Sequence, residues 1–503
     1  MLTRLLIANR GEIAVRVMRA ARELGIPTVG VYAPGDERSL HLQHCDQALR
    51  LDSREPASAY LSADAILAAA ASGGADAIHP GYGFLSENPA FARRVEQAGL
   101  AFVGPRPETM QAFGVKTNAR AMMEEAGVPT VPGTTRPVNS PEAARSEAER
   151  VGYPVLLKAS YGGGGRGIRA VASEREMAAA FETASREAVA AFGNGELYLE
   201  KLLERPRHIE VQILGDGKGA AVHLYERDCS MQRRHQKLIE ESPAPNLDSE
   251  LRVRLLADAV RAARAGNYRS AGTVEFLVAG DRHFFLEVNA RLQVEHPVSE
   301  AVTGIDLVRA QLRLAAGDFA LPAQGDIAAK GHAIECRINA EDARLNFLPC
   351  PGWINRFVPP TGPGVRVDAG VAAGGEVSQD YDSLLAKLIV HAENRGAAIL
   401  RLRRALGEFV ITGVPTTIPF HRFAIESAGF SAGNYSISTV AEFGALPEPS
   451  ASELRAVALA AVVARALRPP TRPAVRSFEN GERGKVSLRP PFGPQRGGWF
   501  HEL

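Results

Sequence analysis

The chain opens with LTRLLIAN, an apolar run that predicts a short buried strand, followed by RGEIAVRVMRAARELG, whose apolar residues recur at helical spacing until Gly25 ends the helix. PTVGVYA predicts a second strand, ADAILAAAAS a helix, and ADAIH another short strand ahead of the loop PGYGFLSEN. Strands alternating with helices predict a parallel sheet covered on its faces, a Rossmann-like domain over residues 1–112. Its first strand-to-helix turn reads Asn9, Arg10, Gly11, Glu12 rather than G-x-G-x-x-G, which argues against a dinucleotide there.

A stretch rich in Pro, Thr and Gly at 129–141 predicts a hinge into a small unit holding PVLLKAS, a glycine loop and IRAV. That unit is expected to be a lid at about 131–203 within a second domain spanning 113–330. Strand-rich segments and the helical ENRGAAILRLRRALGEF predict a third domain over 331–446. Residues 447–503 predict one Ala-rich helix and then a Pro- and Arg-rich tail, because proline is excluded from the interior of regular elements. The fold class is α/β (α+β).

The glycine loop, KASYGGGGRGI, sets Gly162 to Gly165 between Lys158 and Arg166 and can offer backbone N–H groups to phosphate. It lacks the G-K-[ST] ending and the following helix of a P-loop, and alone it is a weak signal that a flexible surface hairpin explains somewhat better.

The segment 272–297, GTVEFLVAGDRHFFLEVNARLQVEHP, predicts a hairpin turning near Gly280 and Asp281. A turn centred on Asp281 makes Glu275 and Glu287 cross-strand neighbours, and two opposed carboxylates repel unless a cation lies between them. A divalent ion that prefers hard oxygen ligands, Mg²⁺ accompanying a nucleotide, fits this pair. Farther along, Asn289, Arg291, Gln293 and Glu295 alternate with Val288, Ala290, Leu292 and Val294. A solvent-facing edge strand has the same period. Arg beside Glu, however, is what an anionic substrate and a general base require.

Lys plus Arg number 58 and Asp plus Glu 57, a net charge of +1, so nothing global calls for nucleic acid or an anionic membrane surface. Cys45, Cys229, Cys336 and Cys350 show no metal-binding spacing and read as reduced thiols. Arg4, Arg10 and Glu12 interrupt any signal-like run, and no apolar stretch is long enough to span a bilayer; a cytoplasmic protein is expected.

ANRGEIAVRV, HPGYGFLSEN, ERDCSMQRRHQK with ESPAP, EVNARLQVEHPV and GHAIECRINAED closely resemble, over about residues 1–445, the biotin carboxylase component of acetyl-CoA, propionyl-CoA and pyruvate carboxylases. The resemblance implies an ATP-grasp fold with a mobile lid and a C-terminal biotin carboxylase domain. It implies ATP at Lys116, Lys158, Gly163, Gly164, Gly165, Glu200, Lys201, Leu203, His208, Gln232, His235 and Ile437, and Mg²⁺ or Mn²⁺ at Glu275, Glu287 and Asn289. Bicarbonate is implied at Lys237, Arg291, Gln293 and Val294, with Glu295 as its base; biotin is implied at Tyr82 and Gly83, with Arg337 facing the developing enolate-like oxygen.

No A-M-K-M-type sequence occurs, so the biotin is expected on a separate carrier protein, with a carboxyltransferase elsewhere; acetyl-CoA carboxylase in fatty acid biosynthesis is one such setting. Arg16, Arg19, Glu23 and Arg366 match the family's homodimer contact, where Pro363 replaces a common phenylalanine. Tyr161 replaces a common lid glycine. A bicarbonate-activating carbamoyl-phosphate synthase half and an inactive carboxylase scaffold are the competing readings.

Overall fold

The computed structural model describes residues 2–53, 55–160, 167–444, 446, 451, 452, 455, 458 and 459. The chain divides into a unit over Met1–Leu446 and a second over Pro447–Leu503. In the second, Ala451, Ser452, Arg455, Ala458 and Leu459 are helical. The proline-rich tail lies outside the described residues, as do Tyr161, the glycines 163–165 and Arg166.

The first strands, β1 (Leu5–Ile7), β2 (Thr28–Tyr32), β3 (Gln47–Arg50), β4 (Ala77–His79) and β5 (Ala101–Phe102), form a parallel sheet in the order β3-β2-β1-β4-β5. Helix Gly11–Glu23 buries Ile13, Ala14, Val17, Met18, Ala20 and Ala21, the stripe its spacing predicts, and the chain then turns through Gly25 at φ +70°. The order reverses between β1 and β4. The loops leaving their carboxyl ends, Asn9–Glu12 and Pro80–Phe84, therefore flank the crevice where open α/β sheets hold ligands.

A separate small sheet, ordered β7-β6-β8, comprises β6 (Val155–Ala159), β7 (Ile168–Val171) and β8 (Leu197–Lys201). With helices Pro141–Val151 and Met177–Phe192 it encloses its own core of Val155, Leu157, Val171, Met177, Ala184, Ala188, Leu197 and Leu199. Strands β6 and β7, which flank the glycine loop, pair antiparallel.

The largest sheet begins with β9 (Arg207–Asp216), β10 (Ala221–Arg233), β11 (Gln236–Ser242), β12 (Arg269–Ala279), β13 (Arg282–Asn289) and β14 (His332–Asn339). Short ladders pair β15 (Glu341–Asp342) with β16 (Leu348–Pro349), β17 (Gly352–Trp353) with β20 (Glu376–Val377), and β18 (Arg356–Val358) with β22 (Val410–Thr412). With β19 (Val365–Ala369) and β21 (Leu384–Ala392) the large sheet runs β13-β12-β9-β10-β11-β14-β21-β19, all antiparallel. The boundary expected near residue 330 thus falls where β11 hands on to β14 within one continuous sheet.

Period-2 alternation sorts this sheet's faces. Ile209, Val211, Ile213, Val274, Phe276, Phe285 and Val288 share a core with Leu251, Leu255, Ala259 and Ala262 of helix Ser249–Ala265. The opposite face carries His208, Glu210, Gln212, Thr273, Glu275, Glu287 and Asn289.

Candidate active site

Glu275 and Glu287 are directly opposed, as the sequence predicts, by a route it does not predict. The tight turn is Gly280–Asp281, since Ala279 pairs with Arg282, and this register alone would set Glu275 against Leu286. A bulge between Phe285 and Glu287 shifts the ladder by one residue and restores the carboxylate pair. The strand stops at Asn289, so the polar alternation at 291–295 belongs to a connection into helix His296–Thr303, with Glu295 at its N-cap position. Nor is that face open to solvent, because Glu275, Asn289, Gln293 and Glu295 are buried.

The row extends inward. Arg227 on β10 faces Glu210 on β9, and Glu210 faces Glu275 on β12. Three carboxylates side by side on adjacent strands need cations, and two arrive. The Arg227 guanidinium, wholly buried, donates to Glu210 at 2.7 Å, Gln212 at 2.6 Å, and Thr273, Ser299 and Gln293 at 3.0 Å each. Lys237 Nζ on β11 lies 2.5 Å from Glu210, 2.9 Å from Glu275 and 2.7 Å from Glu295.

Glu295 is held from both sides: Lys237 grips Oε1, and Arg337 Nη2 on β14 donates to Oε2 at 2.9 Å. Burial alone would raise its pKa, but Lys237 and Arg337 outweigh burial and hold the carboxyl well below the usual range. Glu275 is depressed in the same way, against burial, by Lys237 and by His208, whose Nε2 is 3.1 Å away. Arg337 Nε binds Glu240 at 2.6 Å, and burial with nearby Glu295 pushes the Glu240 carboxyl up to about 7 despite that arginine.

Arg291 and Gln293 join the same cluster. Gln293 Nε2 donates to Glu275 at 3.0 Å; Arg291 donates to Glu87 at 2.9 Å and to Asn289 Oδ1 at 3.0 Å. Asn289 in turn donates its amide to Glu275 at 2.8 Å. Among the metal-ligand candidates, the Glu275 and Glu287 carboxylates supply hard oxygens on facing strands and suit Mg²⁺, whereas the Asn289 oxygen is turned toward Arg291. His208, Glu210 and Glu275 also lie close enough together to hold an ion.

Residues expected around ATP gather in two groups. Lys116 lies 3.4 Å from Glu287, and Lys158 Nζ lies 2.7 Å from Glu200, which Arg120 holds at 3.1 Å. Gln232 Nε2 reaches His208 Nδ1 at 3.2 Å. The Lys201 ammonium instead binds the carbonyls of Gly152 and Tyr153 at 2.9 Å each. Leu203 is half-buried, His235 is exposed at the β10–β11 turn, and Ile437 donates its N–H to Pro206 at 3.1 Å.

A cavity of about 510 Å³ opens beside the cluster, lined by Arg291, Val294 and Arg337 together with Glu12, Tyr82 and Gly83. The Tyr82 loop is pinned by Asn9, whose amide donates to the carbonyls of Pro80 and Tyr82 at 2.7 Å each. A Cβ on Gly81, at φ +63°, would meet that amide at 2.8 Å. Arg16 and Arg366 are paired within the chain, both on Glu300.

Sequence reasoning missed Arg227, Glu210, Glu240 and Glu12. Glu210 carries a readable signal, because His208, Glu210 and Gln212 alternate with Ile209, Val211 and Ile213 in the same way as the segment after Glu287. Among the described residues, no helix is long and apolar enough to cross a membrane.

The family models for the biotin carboxylase N-terminal domain, the carbamoyl-phosphate synthase L chain ATP-binding domain and the biotin carboxylase C-terminal domain match residues 1–110, 115–322 and 335–442. The chain is 50% identical over 440 residues to a biotin carboxylase of Nostoc, covering 87% of this chain and 98% of that protein. It is 48% identical over 438 residues to a biotin carboxylase of Pseudomonas aeruginosa, covering 87% and 97%. The crystal structure of a biotin carboxylase–β,γ-ATP complex from Campylobacter jejuni superposes with a TM-score of 0.86 at 46% identity, covering 88% of this chain and 99% of that one. The biotin carboxylase domain dimer of Hydrogenobacter thermophilus 2-oxoglutarate carboxylase, in complex with MgADP, ADP and bicarbonate, gives 0.85 at 46% identity, covering 88% and 98%. With three matching domains in order and near-half identity across almost the full length of such relatives, this chain belongs to the biotin carboxylase family of ATP-grasp ligases.

Proposed function

We propose that the buried cluster around Glu295 phosphorylates bicarbonate with ATP and passes the carboxyl group to biotin on a separate carrier protein. The observation that carries this is the single carboxylate fixed between two cations, Lys237 and Arg337, the latter lining a cavity together with Val294. Lys237 and Arg291 supply positive charge for a small anion, and Gln293 and the Val294 backbone complete its surroundings. Glu295, ionised because its pKa is depressed, accepts the bicarbonate proton. A substrate anion beside it raises its proton affinity at the moment of transfer.

The freed bicarbonate oxygen forms a bond to the γ-phosphorus as the bond to ADP breaks, giving carboxyphosphate. Carboxyphosphate splits to carbon dioxide and phosphate, and the phosphate takes the proton from the biotin ureido nitrogen, which then bonds to carbon dioxide. Arg337 faces the negative oxygen that develops on the ureido group. Mg²⁺ at Glu275 and Glu287 would screen the charge of the triphosphate. Lys116, Lys158, Glu200, His208 and Gln232 line the nucleotide's side, closed over by the small β6–β8 unit. The carrier protein, a separate carboxyltransferase, a homodimer and a cytoplasmic setting complete the reading, and relatives solved as a domain dimer support its dimeric part.

The test is ADP release with bicarbonate, Mg²⁺ and free biotin. Turnover is expected to need bicarbonate and to rise with biotin. Glu295→Ala and Arg337→Ala should each lower kcat by about 10²–10⁴-fold. ADP release that ammonia stimulates and biotin does not would refute the reading in favour of carbamoyl phosphate chemistry.

A further inference from the structure

Lys387 does not border the cavity, yet its ammonium is wholly buried on β21. Its Nζ donates to the carbonyl of Val294 at 2.8 Å and pairs with Glu12 at 3.2 Å, with Asp368 at 4.0 Å. Glu12, buried in the first turn of helix Gly11–Glu23, accepts the hydrogen bond of the Tyr82 hydroxyl. One continuous path therefore runs from Val294 through Lys387 and Glu12 to Tyr82. It joins the connection after β13 to the loop after β4, which are distant in sequence and both line the cavity.

A buried ammonium is costly to desolvate, and an apolar residue of similar volume would fill the space at less expense. What a lysine adds here is direction. The Val294–Glu295 peptide is planar and trans, so holding its carbonyl fixes the plane from which the Glu295 side chain departs. Glu12 borders the cavity itself and fixes the phenol of Tyr82.

We infer that Lys387 and Glu12 form a positioning bridge that holds the bicarbonate-side loop and the biotin-side loop at one fixed separation. This rests on the assignment of Val294 and Tyr82 to those two substrates in the preceding section. The bridge touches neither reacting group; it acts through Val294 and Tyr82.

The experiment is steady-state kinetics on the full chain. Bicarbonate- and biotin-dependent ATP cleavage by the unaltered protein is established first, because its absence defeats the functional reading rather than the bridge. Lys387→Met should then raise KM for free biotin and KM for bicarbonate together, each by about fivefold or more, with KM for ATP within about twofold. Glu12→Gln should shift the same two constants, and the double variant should be no worse than the worse single one, because the two act in series. Either KM unchanged in Lys387→Met, multiplying effects in the double variant, or a parallel rise in KM for ATP overturns the bridge. If Lys387→Met fails to fold, Glu12→Gln decides through the bicarbonate KM measured without biotin: a rise supports the bridge, and a wild-type value overturns it.

Discussion

Lys237→Met is the most severe single perturbation the geometry predicts. The substitution keeps an unbranched side chain that ends where the ammonium began, and removes the charge that three buried carboxylates share at 2.5–2.9 Å. Burial would lower the lysine's pKa, yet Glu210, Glu275 and Glu295 push it well above its ordinary value, so the charge is bound tightly in the folded state. Removing one partner of a buried ionic group costs about 3–5 kcal/mol, because the opposite charges stay behind unpaired. At about 2 °C per kcal/mol in a large domain, Tm should fall by about 5–10 °C.

The pH dependence fixes the sign of this effect. In the wild type Glu275 and Glu295 sit below the usual carboxylate range, so their contribution is present above about pH 4.5 and is lost only on acidification below it. Without Lys237, burial dominates and raises them, and the variant loses stability as pH increases through the raised values. Thermal melts at pH 5.5 and 8 are the assay: the variant is expected to lose markedly more Tm than the wild type between the two values. A variant melting within about 1 °C of wild type at both pH values would refute the account of the cluster.

Two neighbours on β11 should respond to pH in opposite senses. Glu241, fixed by Arg395 at 2.7 and 2.9 Å, by His332 and by Tyr435, is drawn down to about 2 against burial; its stabilisation, about 3 kcal/mol, is present above pH 4.5 and lost as pH falls toward 2. Glu241→Gln should therefore melt lower at pH 7 and show a weaker acid dependence below pH 4.5 in calorimetry. Glu240 is pushed up to about 7, so the wild type loses stability as pH rises from about 4.5 through 7. Glu240→Gln should flatten the Tm change between pH 5 and 8 and, by weakening its hold on Arg337, lower kcat about tenfold with KM for ATP unchanged.

Much of the site was legible because its chemistry is local in sequence. The alternation through Glu287 and Glu295 exposes one polar row regardless of where the strand stops, and a hairpin can be folded on paper from its turn residues. The pairing of Glu275 with Glu287 nevertheless depends on a bulge, a one-residue insertion with no signature in composition. The assumed centre at Asp281 reached the same register only because the bulge compensated for the true two-residue turn.

What stayed hidden depends on which strands become neighbours. Glu210 precedes Glu275 by 65 positions and Lys237 by 27, and the sheet order β12-β9-β10-β11 brings them together. Each residue taken alone is an ordinary polar position on an amphipathic strand. Only the order reveals that a row of acids would be untenable without Arg227 and Lys237, and the same order carries Arg337 from β14 onto Glu295. The cations that make the acidic row foldable are therefore the groups that define its chemistry. A substitution that relieves the charge crowding, such as Glu210→Gln, removes a reason for Lys237 to sit between Glu275 and Glu295, so stability and activity at this site are coupled through the same few charges.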